Sequence, residues 1–223
     1  MRVEIWSDIN CPWCYIGKAR FEQALAAFPH REEVEVVHRS FELDPRAPQE
    51  AHPVLPLLAA KYGMSLEQAE AAEARIAENA HAEGLPYLRE GRDAANSFDM
   101  HRLLHFADEQ GRQGQLLDAL YRANFAEEQS AFDAGRLVEL AVGAGLDGEA
   151  AAAVLADPEA YAEAVREDEA TASAMGATGV PFFVLDRRLG VSGAQPAETF
   201  TRALDQAWES RAAPPLTALA PKD

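Results

Sequence analysis

The sequence predicts an α/β fold that carries an inserted all-helical domain. Three observations predict it. The chain opens in the order strand, helix, strand; a long middle stretch shows helical patterning only; and the chain closes as strand, strand, helix. Two halves of one α/β layer, residues 1–44 and 175–212, then enclose a helical insertion, residues 45–174, and residues 213–223 are expected to form a flexible tail.

Near the amino terminus, Val3, Ile5 and Ser7 alternate with Glu4, Trp6 and Asp8, the two-residue period of a strand. Ile16, Phe21, Leu25 and Phe28 then recur at helical spacing until Pro29 stops them, so a helix begins at or beside Cys11, with Pro12 suited to its first position. The β-branched stretch from Val34 to Leu43 follows and ends at the turn Asp44-Pro45. Between Pro45 and about Met175 only helices are expected. Ser65-Leu66-Glu67-Gln68 reads as a capping box ahead of an Ala/Glu run to about Glu83. Apolar faces at Met100, Leu103, Leu104 and Ala107, at Leu116, Leu117, Leu120 and Tyr121, and at Leu137, Val138 and Leu140 to Val142 mark further helices. Asp157-Pro158 is expected to open another, as acidic cap and first-turn proline. Val180 to Leu185 and Leu189 to Ser192 read as a hairpin about Asp186-Arg187-Arg188. Gln195-Pro196-Ala197-Glu198 opens a last helix to about Ser210, and Ala213-Pro214-Pro215 begins the tail.

Composition bounds the partners. With 223 residues, 48% apolar and 26% charged, the chain can bury a real core, which excludes disorder over most of its length. Lys and Arg number 20 against 37 Asp and Glu, a formal charge of −17, so a phosphate backbone is repelled and nucleic acid is excluded as an expected partner. The uncharged run from Ala170 to Leu185 is broken by Gly176, Gly179 and Pro181 and does not read as a membrane span. Acids at Glu4 and Asp8 occupy ground where a secretory signal needs an unbroken apolar stretch. The expectation is a cytoplasmic protein without a membrane partner.

Only two cysteines occur, both in Cys11-Pro12-Trp13-Cys14. Disulfide exchange needs one largely ionised thiol and a second close by to resolve the mixed disulfide. At a helix start Cys11 meets unpaired N–H groups and the positive end of the macrodipole, which favour thiolate. Cys11 is therefore the expected nucleophile, at a surface-facing turn, and Cys14, one turn in, the resolver. The alternatives are a pair of inert buried thiols or a zinc half-site. The latter needs two more ligands, and no second cysteine pair exists, so no metal is expected. Asp8, three residues before Cys11, is a candidate for proton relay or for tuning the thiolate, although its charge would also raise the Cys11 pKa. Trp13 is expected on a peptide-facing surface. His101 and His105 have ligand spacing on one helical face, but a third ligand is not evident, and they read as a partly buried polar face. Tyr121 and Phe125 read as helical core.

Several runs together resemble the DsbA-like thioredoxin-fold family and, within it, the FrnE-like proteins associated with polyketide biosynthesis. They are Trp6-Ser7-Asp8 leading into Cys11-Pro12-Trp13-Cys14-Tyr15-Ile16-Gly17; Phe41-Glu42-Leu43; Asn96-Ser97-Phe98 with His101-Arg102-Leu103-Leu104-His105; Gly179-Val180-Pro181-Phe182-Phe183; and Val191-Ser192-Gly193-Ala194-Gln195. The resemblance implies a thioredoxin-like domain with a helical insertion, a redox pair at Cys11 and Cys14, and a cis-proline at Pro181 preceded by Val180. Pro12, Trp13, Val180 and Pro181 would then form the active-site surface, with Val180 offering backbone groups to an extended substrate strand. Some relatives carry a second cysteine pair downstream; this chain has none, so no relay through a second disulfide exists within one subunit.

Three functions follow as expectations. The first is a protein-thiol disulfide oxidoreductase or isomerase with no cofactor beyond its own Cys11-Cys14 couple, taking protein thiols and disulfides or a small-molecule thiol as partners, with glutathione as a possible co-substrate. In a cytosol near about −240 mV, a couple near about −120 mV rests as a dithiol, favoured by roughly 5 to 6 kcal/mol. The second is a glutathione-dependent isomerase or transferase acting on a small aromatic or polyketide-like molecule; such relatives usually carry serine at the first active-site position. The third is a non-catalytic assembly protein. A homodimer is compatible with each.

Overall fold

The structure, a computed structural model, describes residues 1–212. The tail expected over residues 213–223 lies outside the described residues. In chain order the elements are β1 (Arg2–Ser7), α1 (Pro12–Ala27), a 3-10 turn (Arg31–Glu33), β2 (Glu35–Ser40), β3 (His52–Pro53), α2 (Val54–Tyr62), α3 (Leu66–Ala82), β4 (Asp93–Ala94), α4 (Phe98–Glu109), α5 (Gln113–Ala126), α6 (Ala134–Gly143), α7 (Gly148–Ala156), α8 (Ala162–Ala174), β5 (Phe182–Leu185), β6 (Leu189–Ser192), α9 (Ala197–Glu209) and a second 3-10 turn (Ser210–Ala212). They form two compact units, Met1–Phe41 with the chain from Arg166 onward, and Glu42–Val165. The limits fall at 41/42 and 165/166, against 44/45 and 174/175 in the sequence reading, so the second lies within α8. A physical reason is Asp168: its Oδ2 accepts from the Ser40 amide at 2.9 Å, its Oδ1 from Arg39 Nη1 at 3.2 Å, and its carbonyl from the Trp6 indole at 2.8 Å. From Arg166 on, that helix belongs with the sheet.

In the first unit the strands lie in the order β2-β1-β5-β6. β1 is parallel to β2 and antiparallel to β5, which pairs antiparallel with β6. The β1–α1–β2 crossover supplies the parallel pair, as such a connection must. On one face Val3, Ile5 and Phe183 pack with Phe21 and Phe28 of the α1 region and Phe200 and Leu204 of α9. The other face buries Trp6 and Val184 with Ala172 of α8. Because β1 is covered on both sides, the alternation in its sequence does not become an inside and an outside: Glu4 is 2% exposed and Trp6 is 0% exposed. The Glu4 carboxylate accepts from Arg39 Nη2 at 3.0 Å and Arg187 Nε at 3.0 Å. Burial pushes that carboxyl up, and the two guanidinium groups outweigh it, holding its pKa below the ordinary value. Asp186 and Arg187, at φ 49° and 53°, turn the β5–β6 hairpin.

The second unit is mainly helical. Its capping box forms: Ser65 Oγ accepts from the Gln68 amide at 3.2 Å and Gln68 Oε1 from the Ser65 amide at 2.8 Å. Tyr121 and Phe125 are core, at 1% and 0% exposure. Two expectations are corrected. The stretch after Pro45 is not helical throughout, because β3 and β4 pair as His52 with Ala94 and Pro53 with Asp93; two residues are too short for a period. Asp157 closes α7 instead of opening a helix: its Oδ1 accepts from the Glu159 amide at 3.0 Å and its carbonyl from the Ala160 amide at 3.1 Å. Arg102 Nη1 binds the Val154, Asp157 and Ala160 carbonyls at 2.6, 2.7 and 3.2 Å, fixing this turn so that the next helix starts at Ala162.

Candidate active site

All the residues named for the site except His101 and His105 lie in the first unit. Strand β1 ends at Ser7, and the chain reverses into α1 by two bonds to Asp8: its carbonyl accepts from the Cys11 amide at 3.1 Å and its Oδ1 from the Asn10 amide at 3.1 Å. Cys11 is the N-cap, with φ −93° and ψ 109°, and its side chain makes no capping bond. Pro12 takes the first helical position, as its fixed φ suits, and the first turn holds no acidic side chain to offset the macrodipole. The Cys14 and Tyr15 amides donate back to the Cys11 carbonyl at 2.9 and 3.3 Å.

No disulfide joins Cys11 to Cys14 in this structure, and both side chains are buried. Cys11 is 3% exposed, so the expected surface-facing turn is corrected to a buried one; its Sγ lies 3.7 Å from the Val180 carbonyl, which the thiol can reach as a weak donor. The Val180–Pro181 bond is cis. Pro181 is buried and Val180 half-buried. Trp13 is 39% exposed and presents an aromatic face beside the pair. Burial pushes the Cys14 thiol well above its ordinary pKa, and the adjacent Cys11 adds to the push; the Asp8 amide works against it and the Asp8 charge with it. Cys14 is therefore a protonated thiol at neutral pH. Asp8 itself is 1% exposed, a buried acid at the turn from β1 into α1.

Four further residues adjoin this framework. Gly17 packs so closely that a Cβ there would lie 2.9 Å from Pro181 Cγ and 3.3 Å from Ala194 Cα. Arg20 Nη1 donates to the Ala194 carbonyl at 2.7 Å, and the Gly193 amide to the Pro181 carbonyl at 2.8 Å. Lys18, 7% exposed, binds Glu22 Oε1 at 2.6 Å. On β2, burial and then the Lys18 charge hold His38 down to about 3, so its imidazole is neutral. Sequence reading assigns no role to these four; the available signal is a glycine inside a helical period, where glycine costs about 1 kcal/mol without a packing reason. His101, 1% exposed, and His105 lie on α4 in the other unit. Among the described residues no group of three or more His, Cys, Asp or Glu is arranged to hold a metal ion.

This geometry has known counterparts. The model of the DSBA-like thioredoxin domain matches residues 2–205. The chain belongs to that family. A probable DsbA oxidoreductase from Streptomyces coelicolor is 64% identical, with 100% of this chain and 95% of that one covered and a TM-score of 0.92. A cytosolic disulfide reductase, DsbM from Pseudomonas aeruginosa, solved with GSH, shares the fold at 19% identity and TM-score 0.67, over 94% of this chain and all of that one. A 2-hydroxychromene-2-carboxylate isomerase shares it at 16% identity and TM-score 0.70, over 95% and 98%. The thioredoxin-like fold expected from the sequence is thus the family's own. None of the described helices is long and apolar enough to cross a membrane.

Proposed function

We propose that this DsbA-like protein is a thiol–disulfide oxidoreductase in which Cys11 attacks and Cys14 resolves. The observation that carries the reading is the asymmetry of the pair: Cys11 at the bare N-terminus of α1, beside the Val180 carbonyl, and Cys14 one turn in, buried and protonated. The Cys11 thiolate attacks one sulfur of a substrate disulfide, forming a Cys11–substrate bond and releasing the other sulfur as a thiol after protonation. Cys14 gives up its proton and attacks the Cys11 sulfur. The Cys11–Cys14 disulfide forms, the substrate leaves as its second thiol, and two electrons have passed from protein to substrate. Two molecules of glutathione, becoming glutathione disulfide, return the pair to the dithiol; the GSH in the Pseudomonas aeruginosa DsbM structure supports glutathione as co-substrate.

Pro12, Trp13, Val180 and Pro181 form the substrate surface in this reading, and Asp8 accepts the Cys14 proton. Protein disulfides or small disulfides are the partners. The compartment is the cytoplasm, supported by the cytosolic relative; there the pair works as reductase or isomerase. The runs around Trp6-Ser7-Asp8 and Val191–Gln195 support the FrnE-like subgroup.

The test is the reduction potential of the pair in glutathione buffers, together with two variants. A reversible couple between about −270 and −120 mV is expected. Cys11→Ser is expected to abolish disulfide reduction, and Cys14→Ser to accumulate mixed disulfides with substrate. Trapping by Cys11→Ser alone reverses the two roles. Absence of a reversible couple overturns the reading and moves the function to a glutathione-dependent isomerase, whose fold the chromene-carboxylate enzyme shares, or to an assembly role.

A further inference from the structure

The helix bearing the dithiol and the segment bearing Val180 are held together at a second place, away from the sulfurs. Gly17 and Arg20 are three apart on α1 and so share a face. Gly17 has no Cβ, and one would fall 2.9 Å from Pro181 Cγ and 3.3 Å from Ala194 Cα and Cβ. A proline ring and a backbone atom cannot rotate aside, so any side chain at this position must push the whole layer outward. Arg20 holds the same layer inward through its bond to the Ala194 carbonyl at 2.7 Å. The turn so held is tied to the Pro181 carbonyl by the Gly193 amide at 2.8 Å. Gly193 has φ 81°, a left-handed conformation in which glycine is favoured. One residue before Pro181 lies the carbonyl that stands 3.7 Å from Cys11 Sγ.

We propose that Gly17 and Arg20 are positioning residues which, through the Gly193–Gln195 turn, set the separation of α1 from the Val180-Pro181 segment and thereby the approach of a substrate disulfide to Cys11. The inference rests on the oxidoreductase reading and deepens it. The Val191-Ser192-Gly193-Ala194-Gln195 run, which connects β6 to α9, then acts as the far jaw of a clamp whose near jaw is α1. Attack on a disulfide needs three sulfurs in line, and a misplacement of about 1 Å costs such a step on the order of 100-fold. Alkylation by a small reagent needs the thiolate and access to its sulfur, but no seat at Val180.

The experiment compares, in the full-length protein, the second-order rate of Cys11 attack on a peptide disulfide with its alkylation by iodoacetamide across pH. Gly17→Ala is expected to slow disulfide attack by about tenfold while leaving the alkylation rate and its pH midpoint within about twofold of wild type. Arg20→Ala moves disulfide attack in the same direction, and Arg20→Lys, which keeps a donor for the Ala194 carbonyl, recovers part of it. The two arginine variants carry the test if Gly17→Ala fails to fold. Disulfide attack at the wild-type rate in the folded variants overturns the inference, as does a parallel fall in both reactions, which would locate the effect in the thiol itself. A wild-type protein inert toward disulfides overturns the oxidoreductase reading, and this inference with it.

Discussion

At the scale of single residues, burial and neighbouring charges in the first unit shift the titration of Glu4, Cys14 and His38. His38 is the clearest case for stability. Burial and the Lys18 ammonium hold its pKa down to about 3, against an ordinary 6.5. The folded state thus refuses a proton that the unfolded chain accepts, so the stability His38 contributes is present above about pH 6.5 and is lost as the pH falls towards 3, at up to about 1.4 kcal/mol per pH unit. Denaturant unfolding between pH 6.5 and 5, where ordinary carboxylates stay ionised, should show this slope in the wild type and a shallower one in His38→Gln. Equal slopes would remove His38 from the account. The candidate site is partly legible at this scale. Cys11, Cys14 and Asp8 announce themselves by chemistry and spacing, but Gly17, Arg20, Lys18 and His38 matter through neighbours distant in sequence, which no local pattern encodes.

At the scale of elements, helix ends explain both the successes and the corrections. The box at Ser65 and Gln68 is satisfied within four residues, so the start of α3 can be read directly. Asp157-Pro158 carries the same kind of signal, yet the chain turns there because Arg102, 2% exposed and more than 50 positions away in sequence, takes the carbonyls that close α7. Local capping preference is worth about 1 kcal/mol, whereas a buried guanidinium left without its acceptors, or the acceptors without it, costs more. Arg102→Ala is therefore expected to lower unfolding stability by about 3 kcal/mol, read from the urea midpoint. A loss below about 1 kcal/mol would mean that water replaces the guanidinium at these carbonyls. The short α2, Val54–Tyr62, leaves no separate mark in the sequence, because an almost wholly apolar stretch has no polar face to define a period.

At the scale of the whole molecule, the formal charge of −17 acts on every charged partner. At about 0.01 M salt the Debye length is about 30 Å and the field of the full chain reaches an approaching substrate; at about 0.15 M it is about 8 Å and most of that field is screened. Reduction of an anionic disulfide such as glutathione disulfide should therefore speed up as salt is raised over this range, while a neutral peptide disulfide should respond little. Stopped-flow rates for the two substrates check this. A rate for the anionic substrate that falls with salt would point to a local positive field at Cys11 stronger than the net charge.

The α/β class with its helical insertion, the order of the main elements, the family and the candidate redox pair are all legible in the amino-acid sequence. They are written in periodicity, in the turn residues and in a four-residue motif whose parts are adjacent along the chain. Folding in three dimensions was needed to establish that β1 is buried on both faces, that α8 crosses from one compact unit into the other, that Cys11 is sheltered, and that α1 meets the Pro181 layer through a glycine. Each depends on groups separated by tens to hundreds of positions, brought together by packing that conserves volume and satisfies buried polar atoms, and neither requirement leaves a short-range trace in the sequence.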